Sequence, residues 1–266
     1  MWAPSTATGK RSGSSAAAPT ALIAAHPDDE TLGLGGQLAD IPDLTLIHLT
    51  DGSPRDLSDA RRAGFTTRSA YARARALELD RALAAAEVVS ARRRALRITD
   101  QEAVDHLPEL LTILEAELRG AAAVITHPYE GGHPDHDACA FIVQCVCERL
   151  RRAGHPVPVR LEFASYHAHD GGTAMGVFWP AAACQERAVP LDGRQLARKR
   201  AALAEFATQQ DVIGAFPIEI ERLRPAPRYD FTQPPPPAEV LYDRFHWRVT
   251  GESWRERVRE ALERVQ

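Results

Sequence analysis

The chain has 266 residues, 44% of them hydrophobic and 26% charged, with a formal net charge of −4. That length is enough for one large domain with a sizeable core, and the charge excludes a global basic field for gathering nucleic acid. No apolar run approaches the ~20 residues that span a bilayer, so no membrane span is expected.

Residues 1–19 are rich in Ala, Ser, Thr and Gly and carry Lys10 and Arg11. They lack the continuous apolar stretch of a signal peptide and read as a disordered leader. Residues 20–266 read as one domain. Ala21 to Ala25 is a short apolar run stopped by His-Pro, as expected of a buried strand. Pro27 keeps His26 extended, so no helix begins before it. Residues 31–40 read as a short helix containing Gly33, Gly35 and Gly36. These glycines do not have GxGxxG spacing and are assigned to helix packing or loop flexibility. Asp43 to Thr50 alternates as a second strand, ended by Asp51-Gly52.

Residues 53–66 read as a loop and 67–87 as a long helix with Ala70, Ala74, Leu77 and Ala84 on one face. Arg92-Arg93-Arg94 reads as a solvated helix end, followed by a short strand from Ala95 to Ile98. Residues 101–119 repeat the helical pattern through Leu107, Leu110, Leu111 and Leu114. Ala121 to Thr126 is another apolar strand, and it too ends in a His-Pro, at His127-Pro128. Tyr129 to Gly132 forms a flexible approach to a helix over 134–152. A strand at Leu161 to Tyr166 and a helix at 194–208 follow. Residues 223–238 are proline-rich, including Pro234 to Pro237, and are expected to run extended over the surface. They open a C-terminal extension of about 223–266. Its last part places Trp254, Val258, Ala261, Leu262 and Val265 at the spacing of a packed terminal helix. None of the four cysteines forms a CxxC pair. Neither disulfides nor a thiolate metal site is therefore expected, in keeping with a cytoplasmic location. Strands alternating with helices imply an α/β fold, a mostly parallel sheet with helices on both faces.

Two clusters carry the chemistry: Ala25-His26-Pro27-Asp28-Asp29-Glu30 and Gly132-His133-Pro134-Asp135-His136. One His-Pro-Asp alone is commonly a turn with a helix cap, and Asp28 could be such a cap. Two of them, each following a predicted strand, converge where parallel sheets bind ligands. A catalytic zinc takes three protein ligands and leaves one position open. His26, Asp29 and His136 would supply two imidazoles and a carboxylate, donors that also suit iron, cobalt or manganese. Asp28 is then spare as a base. His133 sits at the helix start with Pro134 at the first helical position, three residues from His136 and able to share its pocket. Asp135 could bond to an imidazole and fix its tautomer.

These residues resemble the PIG-L/LmbE-like family of zinc-dependent N-acetylglucosaminyl deacetylases. The family's first motif matches Ala25 to Glu30 in full, and its second matches His133 to His136. The likeness extends more weakly over about residues 20–210. The resemblance implies a Rossmann-like fold, with His26, Asp29 and His136 as metal ligands. It implies Asp28 as general base and His133 as general acid or oxyanion stabiliser, oriented by Asp135. It implies a substrate contact at Arg75, whose plainer role is an i,i+3 pair with Glu78. The expected activity removes an N-acetyl group from an N-acetylglucosamine-type sugar or conjugate, with Zn2+, or another divalent metal such as Fe2+, as cofactor. The alternatives are a metal-dependent hydrolase of another N-acyl amide or ester, and a non-catalytic metal-containing binding module. A small-molecule amino sugar is the expected partner, and an oligomer is possible. Tyr129, Glu130, His127, His167 and His169 are further pocket candidates.

Overall fold

The computed structural model describes residues 18–181, 184–236 and 238–265. The leader expected over 1–19 lies outside them as far as residue 17, and so does Pro237 of the proline run. From the N-terminus, β1 (Thr20–Ala24) leads into α1 (Asp29–Leu34), β2 (Leu44–Thr50), α2 (Ser58–Arg62) and α3 (Arg68–Ala85). Next come β3 (Arg92–Ile98), α4 (Leu107–Leu118), β4 (Ala123–Thr126), α5 (Pro134–Arg152) and β5 (Val159–Phe163). The remainder comprises β6 (Tyr166–His169), β7 (Gly172–Met175), β8 (Arg187–Pro190), α6 (Gly193–Ala204), α7 (Gln210–Ile213), β9 (Ile220–Pro225) and α8 (Gly251–Val265).

Seven strands form one sheet in the order β3-β2-β1-β4-β5-β9-β8. The first five are parallel, and β9 and β8 join antiparallel. The fold is therefore α/β, with a mostly parallel sheet. Alternation within β1 explains the two layers that cover it. Ala21 and Ile23 pack with α4, α5 and α8 on one face. Leu22 and Ala24 pack with Leu79 and Leu83 of α3 and Ala202 and Leu203 of α6 on the other. Leu22 and Ile23 are fully buried, which is why this strand reads as an unbroken apolar run. The strand order reverses direction between β1 and β4. That crevice is the usual ligand position of such sheets, and both His/Asp clusters follow the strands that border it.

Several elements depart from the sequence reading. Arg92 to Arg94 do not end a helix; they open β3, the edge strand. Their guanidiniums face solvent, where Arg93 pairs with Asp80 and Arg94 with Glu117, and such charge discourages edge pairing. The loop expected over 53–66 contains α2, only five residues long. The strand expected through Tyr166 breaks after Phe163, and Tyr166 starts the β6–β7 hairpin. Strands of four residues with mixed polar and apolar composition carry too little pattern to be read from sequence; β4, equally short, is apolar and buried throughout. The proline-rich segment, expected to run extended over the surface, begins inside β9 (Ile220–Pro225) and is anchored further on. Phe231 is buried against Tyr129, Phe141 and Trp254. The terminal helix packs as expected: Trp254 and Val258 are fully buried, and Trp254 Nε1 donates to the Pro134 carbonyl at 3.0 Å. The four cysteines are free. Among the described residues, no helix is long and apolar enough to cross a membrane.

Candidate active site

The first cluster leaves the tip of β1 in a tight turn. Asp28 has φ 143°, a conformation that L side chains rarely adopt. The turn is held from several sides. Thr31 and Leu32 amides donate to the Asp28 carbonyl at 2.9 and 2.8 Å. The Asp28 amide donates to Glu30 Oε2 at 3.2 Å, and that same oxygen lies 2.9 Å from His48 Nε2. Strain retained in this way is characteristic of functional sites.

The second cluster starts α5. His133 is its N-cap, its Nδ1 accepting from the Asp135 amide at 3.2 Å. The proton of its neutral ring is therefore assigned to Nε2. The preceding glycines serve close approach rather than flexibility. A Cβ on Gly132 would collide with the Tyr166 carbonyl oxygen, and Gly131 has φ +67°.

Asp29 joins the two clusters. Its Oδ2 lies 3.2 Å from His26 Nδ1, and its Oδ1 lies 3.3 Å from His136 Nε2. Donors around a tetrahedral zinc with bonds of ~2.0–2.1 Å are separated by roughly 3.3 Å; each pair has that spacing, but through different oxygens of Asp29, and no compact donor set among the described residues unites His26, Asp29 and His136. His136 Nε2 is buried and has no hydrogen-bond partner, while its Nδ1 lies 3.2 Å from Ser165 Oγ. A ring fixed on one nitrogen and bare on the other is the usual arrangement of a metal-ligating histidine. Burial pushes Asp29 upward, but His136, His127 and His26 outweigh it and hold its carboxyl well below the ordinary range. Three overlapping sets have donor atoms within 4.8 Å of one another: His26–His133–His136, His26–Asp100–His133–Asp135 and Asp29–His127–His136.

The other donors are largely committed. His127 Nε2 accepts from the Ala25 amide at 3.1 Å. Burial and the neighbouring His136 push its ring down to about 3, against the pull of Asp29. Asp135 Oδ2 accepts from the Gln101 amide at 2.7 Å, and Oδ1 from the Ala103 amide at 3.0 Å. Asp135 also lies 3.3 Å from His26 Nε2 but 3.9 Å from His133 Nδ1. Its hydrogen bonds therefore go to His26 and to the loop after β3, and not to His133.

Asp28 faces Arg75 rather than the ligand cluster. Arg75 Nη2 donates to Asp28 Oδ2 at 2.8 Å and to the Pro27 carbonyl at 3.0 Å, and Nη1 donates to the Gly52 carbonyl at 2.5 Å. Arg75 makes no pair with Glu78, which accepts from Thr208 instead. Burial lifts Asp28 to about 7, against the pull of Arg75. Burial, together with His26, holds His133 well below the ordinary imidazole value, while Asp100 draws it the other way.

Asp100 is the member that sequence reasoning missed. It lies 3.2 Å from His26 Nε2 and 3.5 Å from His133 Nε2. It follows β3, so its only signal was a carboxylate after a strand, without any motif around it. Among the other candidates, Tyr129 donates to the Gln233 carbonyl and Glu130 pairs with Arg224. His167 and His169 lie on the β6–β7 hairpin beside Trp179. None of these four lines the cavity above the cluster. That cavity has a volume of about 780 Å³, and its walls include His26, Asp28, Asp29, Arg75, Asp100, His133 and Tyr166.

A doubly covered α/β sheet with a histidine–carboxylate cluster at its switch point defines a candidate metal site beneath a large cavity. Residues 21–147 match the model of the PIG-L family, described as GlcNAc-PI de-N-acetylase, which bears out the resemblance to PIG-L/LmbE-like proteins; both motifs lie inside the match. No curated protein matches the chain. Among solved structures, the chain is similar to the A40926 pseudoaglycone deacetylase Dbv21. That pair has 19% identity and a TM-score of 0.60 over 80% of this chain and 99% of the other. A deacetylase triple mutant of the teicoplanin biosynthetic pathway has 15% identity and a TM-score of 0.59, with 80% and 99% covered. The conserved protein TT1542 from Thermus thermophilus has 21% identity and a TM-score of 0.51, with 79% and 95% covered. At these identities the likeness is one of fold.

Proposed function

We propose that the protein is a zinc-dependent hydrolase that removes the N-acetyl group from an N-acetylglucosamine-type sugar or its conjugate, yielding acetate and a free amine. The observation that supports this reading is that Asp29 lies within 3.3 Å of both His26 and His136, next to a cavity sized for a small molecule that His26, Asp28 and Asp29 help to line. The family match over the same motifs and the deacetylase names of similar folds support it.

In this reading His26, Asp29 and His136 hold the ion, and Asp135 and Ser165 fix the two imidazoles from behind. A zinc ion held there supplies Lewis acidity and makes water a better nucleophile near neutral pH. Asp28 takes a proton from the attacking water. Arg75 and the strained turn hold its carboxylate in place. His133 has its Nδ1 occupied by the Asp135 amide, so it offers Nε2–H to the amide oxygen as negative charge builds there. The proton taken up by Asp28 is then the one that the departing nitrogen requires. Water and amide become acetate and amine, and the protons balance. A cytoplasmic location is part of this proposal.

The test is direct. Purified, zinc-loaded protein is incubated with a panel of N-acetylglucosamine conjugates, and acetate and primary amine are measured. Release of both in equal amounts supports the reading. Hydrolysis of other acyl amides or esters in their place, or no turnover with zinc bound, overturns it.

A further inference from the structure

The cavity's inner end is polar, and its outer wall has two characters: a charged side with Arg55, Asp56, Asp59 and Arg62, and an apolar stripe. Met175 of β7, Val212 of α7, and Phe245 and Trp247 of the C-terminal segment all line the same space as Asp28 and His133. All four belong to the part of the chain beyond the family-matched residues 21–147. Phe245 is 50% exposed and Val212 45%, large apolar side chains left open at the cavity mouth. Phe245 and Trp247 pack with ring centroids 5.1 Å apart. Trp247 continues inward to meet His133 edge-on at 4.9 Å. The aromatic pair therefore forms a continuous path from the reacting end of the cavity to its mouth.

This wall is firmly built. The Leu241 amide donates to the Gly131 carbonyl at 2.8 Å, and Tyr242 Oη donates to Asp137 Oδ2 at 3.2 Å. Arg244 reaches across to the Gly171 and Gly172 carbonyls of the β6–β7 turn at 3.0 Å each. Arg248 pairs with Asp105 on the far side. Cavities of ~300–1,000 Å³ hold drug-sized ligands, and this one, at about 780 Å³, lies in the upper part of that range. A lone monosaccharide would leave the aromatic pair facing water.

We infer that Phe245 and Trp247 are specificity residues that hold an apolar aglycone, so that the substrate is an N-acyl amino sugar joined to an aromatic or aliphatic group rather than the free sugar. The inference rests on the amino-sugar reading above. The sugar would sit over the polar floor with its amide at Asp28 and His133, and the aglycone would lie along the two rings.

The experiment compares methyl and benzyl β-glycosides of N-acetylglucosamine. Calorimetric titration uses zinc-loaded Asp28→Asn protein, whose slowed turnover lets binding be measured. The benzyl glycoside should bind about tenfold more tightly, as burial of one phenyl group requires. That ratio should fall toward one when Phe245→Ser or Trp247→Ser is added. Phe245 is half exposed, so its replacement leaves the fold in place. Equal affinity for the two glycosides, no binding of either, or a ratio unmoved by both substitutions overturns the inference. Acetate release by the wild-type protein is measured in parallel. Turnover of both glycosides without benzyl preference removes the aglycone wall and keeps the deacetylase. Benzyl preference in binding without acetate release does the reverse.

Discussion

Arg75 and Asp28 form an ion pair buried beneath the cavity, Nη2 to Oδ2 at 2.8 Å, with both side chains less than a tenth exposed. Two further bonds tie the same guanidinium to the Pro27 and Gly52 carbonyls. Arg75 thus fixes the carboxylate and the backbone that carries it. If Arg75 positions Asp28, Arg75→Met lowers kcat by roughly 10²-fold or more, the scale of losing a general base, with a smaller change in KM. If it contacts substrate, KM rises instead. Lysine cannot reproduce the forked geometry, so Arg75→Lys should recover only part of the activity. Steady-state kinetics on the two variants separates these roles.

Asp28→Asn keeps the shape of the side chain and removes its ability to take a proton. Turnover should fall by roughly 10²–10⁴-fold, while zinc content remains that of the parent. Full activity in this variant would remove Asp28 as the base.

Away from the metal cluster, Glu130, Glu162 and Tyr229 surround the single guanidinium of Arg224. Two carboxylates share one cation, and Glu130 Oε2 is buried without a partner. Burial lifts Glu130 to about 8, and Arg224 pulls it down only in part; Glu162 is lifted to about 7 by the same cause. An acid raised above its unfolded value favours the folded state while protonated. Its contribution is full below about 4.5, the ordinary glutamate value, and is lost as pH rises toward about 8. Glu130→Gln keeps a neutral group there at every pH. Its melting temperature relative to wild type should therefore rise by a few degrees, about the effect of ~1 kcal/mol, between pH 6 and pH 9. A difference that stays constant over that range would show that Glu130 does not titrate there and would contradict its raised position.

Gly132 tests the packing that aims His133. A methyl group there collides with the Tyr166 carbonyl, so Gly132→Ala should destabilise the protein by roughly 1–3 kcal/mol and displace the start of α5. Denaturant unfolding measures the first effect. An undisturbed midpoint would mean that the turn is free to move.

The parallel half of the sheet was legible because β1, β2 and β4 are short apolar runs bounded by His-Pro or Asp-Gly, and such punctuation survives without tertiary context. The antiparallel half was not, because β6 to β9 span only four to six residues each and owe their pairing to neighbours far along the chain. The site shows the same division. His26, Asp28, Asp29, His133, Asp135 and His136 sit in compact motifs. Asp100 lies alone after a strand, and Trp247 reaches His133 from a tail that follows it by more than a hundred residues. Local spacing encodes the first kind of neighbour; only the folded topology brings in the second. Arg75 falls between: its helix was read correctly, but nothing in an Arg-x-x-Glu spacing tells whether the guanidinium turns outward to Glu78 or inward to Asp28.

The central claim is that His26, Asp29 and His136 grip one divalent cation. Elemental analysis of the purified wild-type chain and of its His136→Ala variant, both loaded with zinc and freed of excess by dialysis, tests it most directly. The account predicts a bound zinc ion in the wild type and its near-complete loss in the variant, with the fold retained by circular dichroism. Undiminished zinc in a folded His136→Ala protein would contradict it.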